Sequence, residues 1–324
     1  MVRTLVWLAL IAGCGASTAG TDGGGAGDGG RGDGAIADAG GDAPPDEPVF
    51  DDGLRAGVVQ VLEAEGVGHA YGIAQAAYLE APTRMRFVHY AQIVVVHAQV
   101  ETMREGACRL LEHQPPFCTA CDGVCVAPEV CEPYPTYASA GTLDFTGLSV
   151  PLSMAPEQYW YTSQSAVPEE AFADDAAVAV AASGADIPAH ALALTAVPRL
   201  VTTLGAEPLP LIDGEDLTIQ WTSAEVGARV RLLLNANNIG HGNPSEAVIE
   251  CEGPDRGVLT VPRALIEAFP AADGSKFCVG SDCPLSLLTR YRTSSTTIGA
   301  GNGDRVVFTI GSQREFLIVH APAP

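Results

Sequence analysis

The chain has 324 residues, of which 47% are hydrophobic and 17% charged, enough apolar material for a core and too much for wholesale disorder. At about 150 residues per domain, this length predicts roughly two domains. Against 17 basic residues stand 39 acidic ones, and a net charge of −22 repels phosphate backbones, which argues against a nucleic-acid partner.

Arg3 opens the chain, the eight apolar residues Leu5–Ala12 follow, and Gly13 and Cys14 come next. A basic start, a short apolar core and small residues at its end describe a secretory signal peptide over 1–13. Rising ~1.5 Å per residue, so short a stretch cannot cross a hydrocarbon core of about 30 Å. The tetrad Ile11-Ala12-Gly13-Cys14 resembles the lipobox of bacterial lipoproteins. That resemblance implies cleavage before Cys14, a lipid on its sulfur and acylation of the new N-terminus. Each buried CH₂ contributes about 0.8 kcal/mol, so several acyl chains hold where one is marginal. The membrane is thus the first expected partner. The expected location is the cell envelope, at the outer membrane or cell surface, because no Asp follows Cys14.

Residues 14–53 are expected to form a disordered tether. Gly, Ala and Asp dominate it, and from Gly15 to Gly53 it carries a net charge of −8. Such a composition cannot bury enough surface to offset chain ordering.

From Leu54 the texture changes to short β-branched or alternating segments punctuated by turn residues. Val58–Leu62, Ile93–Val100, Val178–Val180, Leu192–Leu194, Leu217–Trp221, Val230–Leu234, Val248–Cys251, Val306–Ile310 and Phe316–Val319 read as strands. Pro262–Phe269 reads as a helix, with proline at a first-turn position, and Ala171–Ala182 is ambiguous. The expected fold is all-β, with two β-sandwich domains over 54–205 and 206–324 and a disulfide-rich insert over 108–137. The boundary is placed at the Gly205–Pro210 turn. Pairing of Leu217–Trp221 with Arg229–Leu232 resembles the early strands of immunoglobulin or fibronectin type III modules, a resemblance that bears on fold alone.

Beyond Cys14, eight cysteines remain: Cys108, Cys118, Cys121, Cys125, Cys131, Cys251, Cys278 and Cys283. Export places them in an oxidising compartment, which favours disulfides over a four-thiolate zinc site in the 118–131 run. That run resembles the small stapled knots of secreted proteins. It allows three pairings, of which Cys118–Cys125 with Cys121–Cys131 is the expected one. Cys278 and Cys283 flank a turn and suggest a local bridge. Cys108 and Cys251 either bridge the two halves or are buried free thiols.

No catalytic signature occurs: there is no Gly-x-Ser-x-Gly elbow, no His-Glu-x-x-His pair and no phosphate-binding loop. No catalytic residue, metal site or cofactor is expected. A loop containing Asn237, Asn238, His241 and Asn243 is the candidate recognition loop, since loops at sandwich ends often carry binding. The aromatic run Tyr159-Trp160-Tyr161 suits either sugar stacking or a core. Lipobox, Gly/Asp tether, Cys-rich knot and β-rich body together resemble uncharacterised surface lipoproteins of high-GC Gram-negative bacteria. The expectation is a non-enzymatic binding or structural module with a protein or glycan partner. The alternatives are an extracytoplasmic hydrolase with an unrecognised carboxylate or His site, and a calcium-stabilised adhesion protein using Asp213, Glu215 and Asp216 or Asp255.

Overall fold

β-branched and alternating segments pair into sheets, and the sole helix among the described residues is five residues long. The computed structural model describes residues 47–50, 53–66, 70–83, 86–88, 92–94, 99–114, 116–157, 161–163, 167–205, 207–236, 245–273, 285–299 and 304–321. The chain opens with β1 (Arg55–Glu65), β2 (Ala70–Thr83), β3 (Arg86–Val88), β4 (Gln92–Val94), β5 (Gln99–Glu105) and β6 (Cys108–His113). There follow β7 (Val124–Ala127), β8 (Val130–Glu132), β9 (Tyr137–Ala138), β10 (Leu143–Thr146), β11 (Leu152–Met154), β12 (Tyr161–Thr162), β13 (Ala177–Ala182) and β14 (His190–Thr195). Next come β15 (Leu209–Leu211), β16 (Leu217–Gln220), β17 (Arg229–Asn235), β18 (Ala247–Pro254), β19 (Val258–Val261) and the helix α1 (Arg263–Glu267). Last are β20 (Ala272–Asp273), β21 (Ser286–Thr297), β22 (Arg305–Phe316) and β23 (Ile318–His320).

One ten-stranded sheet runs β12-β2-β1-β22-β21-β17-β18-β6-β5, with β9 paired to β2. A four-stranded sheet β11-β10-β13-β14, a three-stranded sheet β15-β23-β20 and the pairs β16-β19, β3-β4 and β7-β8 complete the set. The pairing is antiparallel except between β1 and β22 and between β15 and β23.

Two apolar cores form. In the first, Val59, Val61, Ala74, Tyr78 and Phe308 of the large sheet cluster with Leu143, Phe145, Val178 and Val180 of the four-stranded sheet. In the second, Leu110, Leu232, Leu234 and Ile249 cluster with Ile219, Trp221, Val261, Leu265 and Phe269. Strand β22 serves both. Alternation turns Val306, Phe308 and Ile310 to one core, and the same periodicity delivers Phe316 to the other. Each large side chain so buried contributes about 1.5–3 kcal/mol.

Three expectations need correction. The turn at Gly205–Pro210 does not divide the body, because β6 from before it pairs with β18 from after it, and β1 pairs with β22. The described residues from Glu47 onward lie in one compact unit, since long strands are shared between the cores. The fibronectin-like pairing is also absent: β16 pairs with β19, and β17 pairs with β18 and β21. Finally, the tether ends earlier than 53. The Glu47 carbonyl accepts a hydrogen bond from Arg229 Nη2 at 2.8 Å, and the Val49 N–H donates to Glu252 Oε2. The Phe50 ring lies 4.2 Å from the Arg109 guanidinium and 4.9 Å from that of Arg104. Composition alone reads this segment as tether, but two cations over one ring hold it to the sheet.

Where expectation and structure agree, the cause is local. α1 starts after Pro262, and its first N–H, from Arg263, donates to Asp216 Oδ1 at 2.8 Å. The ambiguous alanine stretch becomes β13, whose alternate residues Val178, Val180 and Ala182 are buried.

Candidate functional site

The disulfide knot over 116–136 presents several exposed apolar side chains. Cys118 is bonded to Cys125 and Cys121 to Cys131, the expected one of the three connectivities the run allows. β7 and β8 form a hairpin whose register shifts between Cys125 and Ala127. Its turn places Glu129 at φ 59°, the left-handed region that residues other than glycine seldom adopt. The Glu129 carboxylate accepts from the Thr119 hydroxyl at 2.8 Å and the Thr119 N–H at 3.1 Å. Those bonds hold its carboxyl below the usual range. On this scaffold Phe117 is 74% exposed, Tyr134 67% and Val130 49%. Between Pro116 and Thr136 the charges are Asp122, Glu129 and Glu132, with no cation.

A second concentration of chemistry lies in the half of the large sheet built from β5, β6, β17 and β18. Cys108 and Cys251, paired in register on β6 and β18, form a disulfide and resolve the open alternative in favour of a bridge. On the opposite face of the same strands Arg109 meets Glu250 at 2.6 Å, both buried. Glu252 is fully buried and accepts from Arg229 Nη2 at 2.8 Å and from the Tyr291 hydroxyl at 2.9 Å. Glu252 in turn raises the Arg229 pKa, while burial pushes the Tyr291 phenol upward. On the core face the Arg290 side chain is fully buried. Its Nε lies 2.7 Å from Asp255 Oδ2, and Asp255 Oδ1 accepts from Trp221 Nε1, also at 2.7 Å. The Pro198 carbonyl takes a further Arg290 bond at 3.1 Å. These are charges with partners, as burial requires.

Two of the described histidines, His320 and His190, are held structurally. His320 is buried, with Nε2 3.0 Å from Asp213 Oδ1 and Nδ1 3.0 Å from the Pro270 carbonyl, so both nitrogens are engaged. His190 Nε2 lies 3.2 Å from the Tyr78 hydroxyl, and its Nδ1 lies 2.9 Å from the Pro188 carbonyl. Tyr78 is itself driven upward in pKa by burial and by neighbouring Tyr161. A cleft of about 400 Å³ opens beside β16, lined by Leu204, Glu207, Pro208, Thr218, Gln220 and Phe316. The acidic residues considered for calcium are dispersed: Asp213 faces His320, Asp216 meets α1, and Asp255 faces Arg290. Among the described residues, no group of three or more His, Cys, Asp or Glu side chains could hold a metal, and no helix is long and apolar enough to cross a membrane.

Cys14 and the lipobox, the candidate loop residues Asn237, Asn238, His241 and Asn243, and the pair Cys278 and Cys283 all lie outside the described residues. So do Tyr159 and Trp160, whereas Tyr161 is core, its hydroxyl donating to the Gly141 carbonyl and accepting from the Ala140 N–H, both at 2.8 Å. Sequence reasoning did not find the buried pair Arg290–Asp255 or the glutamines of β1 and β2. The signal for the latter was a lone amide inside an apolar run, in Val59-Gln60-Val61 and Ala74-Gln75-Ala76. Comparison with protein-family models, with curated proteins and with solved structures gives no match to this chain.

Proposed function

We propose that the chain is an exported, lipid-anchored protein of the bacterial cell envelope that acts as a non-enzymatic binding or structural module. The observation that carries this reading is the set of three disulfides, of which Cys108–Cys251 is buried and staples two strands far apart in sequence. Such bonds persist in oxidising compartments outside the cytosol, which agrees with a signal peptide ending at a lipidated Cys14. A body joined to a membrane by an acidic tether suits recognition at a distance. The knot supports the same reading, because its cross-links hold Phe117 and Tyr134 in a fixed exposed arrangement at little cost in ordering entropy.

Metabolic labelling with an alkyne fatty acid, followed by mass spectrometry of the N-terminal peptide, tests the anchor. The expected product starts at acylated Cys14, and Cys14→Ala loses both the label and the membrane association. An unmodified, uncleaved N-terminus would overturn the proposal.

A further inference from the structure

Strand β16 has an open edge. It pairs with β19 alone, from Leu217↔Val261 to Gln220↔Val258. The Trp221 N–H extends that ladder, donating to the Gly257 carbonyl at 3.0 Å. Successive residues of a strand turn their backbone groups to opposite sides. Leu217 and Ile219 therefore bond to β19 as Trp221 does, and the N–H and C=O of Thr218 and Gln220 face away from it. On that far side the segment before the Gly205 turn begins to pair. Thr202 bridges Trp221, the Thr222 N–H donates to the Val201 carbonyl at 2.9 Å, and the Thr202 hydroxyl donates to the Gln220 carbonyl at 3.1 Å. The segment then leaves β16. Among the described residues, the Gln220 N–H and both backbone groups of Thr218 have no hydrogen-bond partner on this side.

The gap beside them is the cleft of about 400 Å³, a volume in the range of ligand sites. Thr218 and Gln220 line it and are exposed, so the edge can be reached. Pro208 and Pro210 also line it, and neither has an N–H with which to pair to β16 and close the gap. Pro210 lies in β15, where the Leu209 N–H is turned to the Leu317 carbonyl, so the proline nitrogen sits on the open side of its strand. An open edge is ordinarily guarded by a charge, a proline or a bulge, and Leu217–Gln220 carries none of these. The buried lining residues Leu204, Ile219 and Phe316 are apolar, and Glu207 is the one charged residue among the described lining.

We propose that this cleft binds an extended segment of a partner protein as an added strand, and that the segment combines apolar and basic residues. Two unpaired N–H groups and one carbonyl in a single strand edge match the backbone of a peptide, which alone repeats acceptor and donor at the two-residue step of ~6.6–6.8 Å. The guest's carbonyls accept from the Thr218 and Gln220 N–H groups, and one of its N–H groups donates to the Thr218 carbonyl. An apolar guest side chain packs on Leu204 and Phe316, and a lysine or arginine meets Glu207. The chain's net charge of −22 draws cationic segments to the same surface and repels acidic ones. The inference rests on the binding-module reading and gives it a partner class, whereas the Cys14 anchor can stand or fall without it.

The test is fluorescence anisotropy of the full chain with three capped peptides: alternating valine–lysine, alternating valine–glutamate, and the valine–lysine peptide with its backbone amides N-methylated. The valine–lysine peptide is expected to bind and to slow amide exchange at Thr218 and Gln220. N-methylation keeps its charge but removes its backbone donors, and should weaken binding by roughly tenfold or more in Kd. Gln220→Pro deletes a donor that the ladder to β19 does not use, and should weaken binding similarly with a melting temperature near that of the wild type. Glu207→Gln should weaken it less, with the difference fading at high salt. Failure of the valine–lysine peptide to bind overturns the proposal, as does equal binding of the valine–glutamate peptide. Affinity that survives N-methylation, or binding that leaves exchange at Thr218 and Gln220 unchanged, also overturns it, and would reduce the interaction to charge attraction alone. If Gln220→Pro does not fold, N-methylation and amide exchange decide the question without it.

Discussion

On β1, β2 and β22 the first core is held by Val, Ala, Tyr and Phe side chains against a four-stranded sheet. On β17, β18 and β6 the second core is covered by smaller pieces, namely the β16-β19 pair, the three-stranded sheet and a helix of five residues. That half also holds the Cys108–Cys251 bridge and the buried pairs Arg290–Asp255 and Arg109–Glu250. A broad cover sheet supplies contacts along every strand it faces. Small covers must be fixed one by one, and directional hydrogen bonds do that where area falls short. Arg290 illustrates this, tying β21 to the Asp255 turn and to the carbonyls of Pro198 and Ser223.

The sharpest way to break this contrast is Asp255→Ala. It leaves Arg290 buried without its counter-ion and should cost about 3–5 kcal/mol in urea unfolding. Replacing the pair together, Asp255→Leu with Arg290→Met, should recover most of that loss. A single variant as stable as the wild type would show that the second half does not depend on this pair. In the first half, Phe308→Ala should also cost about 3–5 kcal/mol, because it removes a fully buried ring from between two sheets. Its cost should be independent of salt, and a strong salt dependence would contradict a purely apolar core. Converting Cys108 and Cys251 together to alanine opens a closure of 143 residues. It should cost about 2–4 kcal/mol, with the loss concentrated in amide exchange of β6 and β18.

The smallest effect is alkaline. Burial raises the Tyr78 and Tyr291 phenols, and each faces further groups: Tyr161 and His190 around Tyr78, and Glu252, Arg229 and Arg231 around Tyr291. An unfolded tyrosine titrates near pH ~10, so above that value the unfolded state releases protons that the native state retains, and stability falls as pH rises. Below about pH 9 the two contribute no pH dependence. Phenolate absorbance from Tyr78 and Tyr291 should therefore appear only together with loss of circular dichroism. Full titration with an intact spectrum would contradict their burial.

Much of the candidate surface was legible because its determinants are local. The cysteine run 118–131 indicated a stapled knot while allowing three pairings, and alternation in Leu217–Trp221 indicated a strand leading into a buried Trp221. The domain division was misread because Gly205–Pro210 is a genuine break in composition but only a local one. The Leu209–Leu211 strand pairs in parallel with Ile318–His320, and no turn signal reveals such a partner. The ionic half was illegible for a similar reason: Asp255 and Arg290 are 35 positions apart, with no shared motif.

Composition and periodicity by themselves determined an all-β body, a stapled hairpin and the helix after Pro262, since each follows from neighbours within a few residues. The three-dimensional packing decided which strands lie side by side, that two cores share one sheet, that Cys108 meets Cys251, and that Gln75 ends up buried beside Gln60. Strand pairing is set by the global burial of many faces at once, and a backbone hydrogen bond is the same whichever strand supplies it. Sequence therefore specifies that a strand will pair, while only the assembled tertiary structure specifies with which.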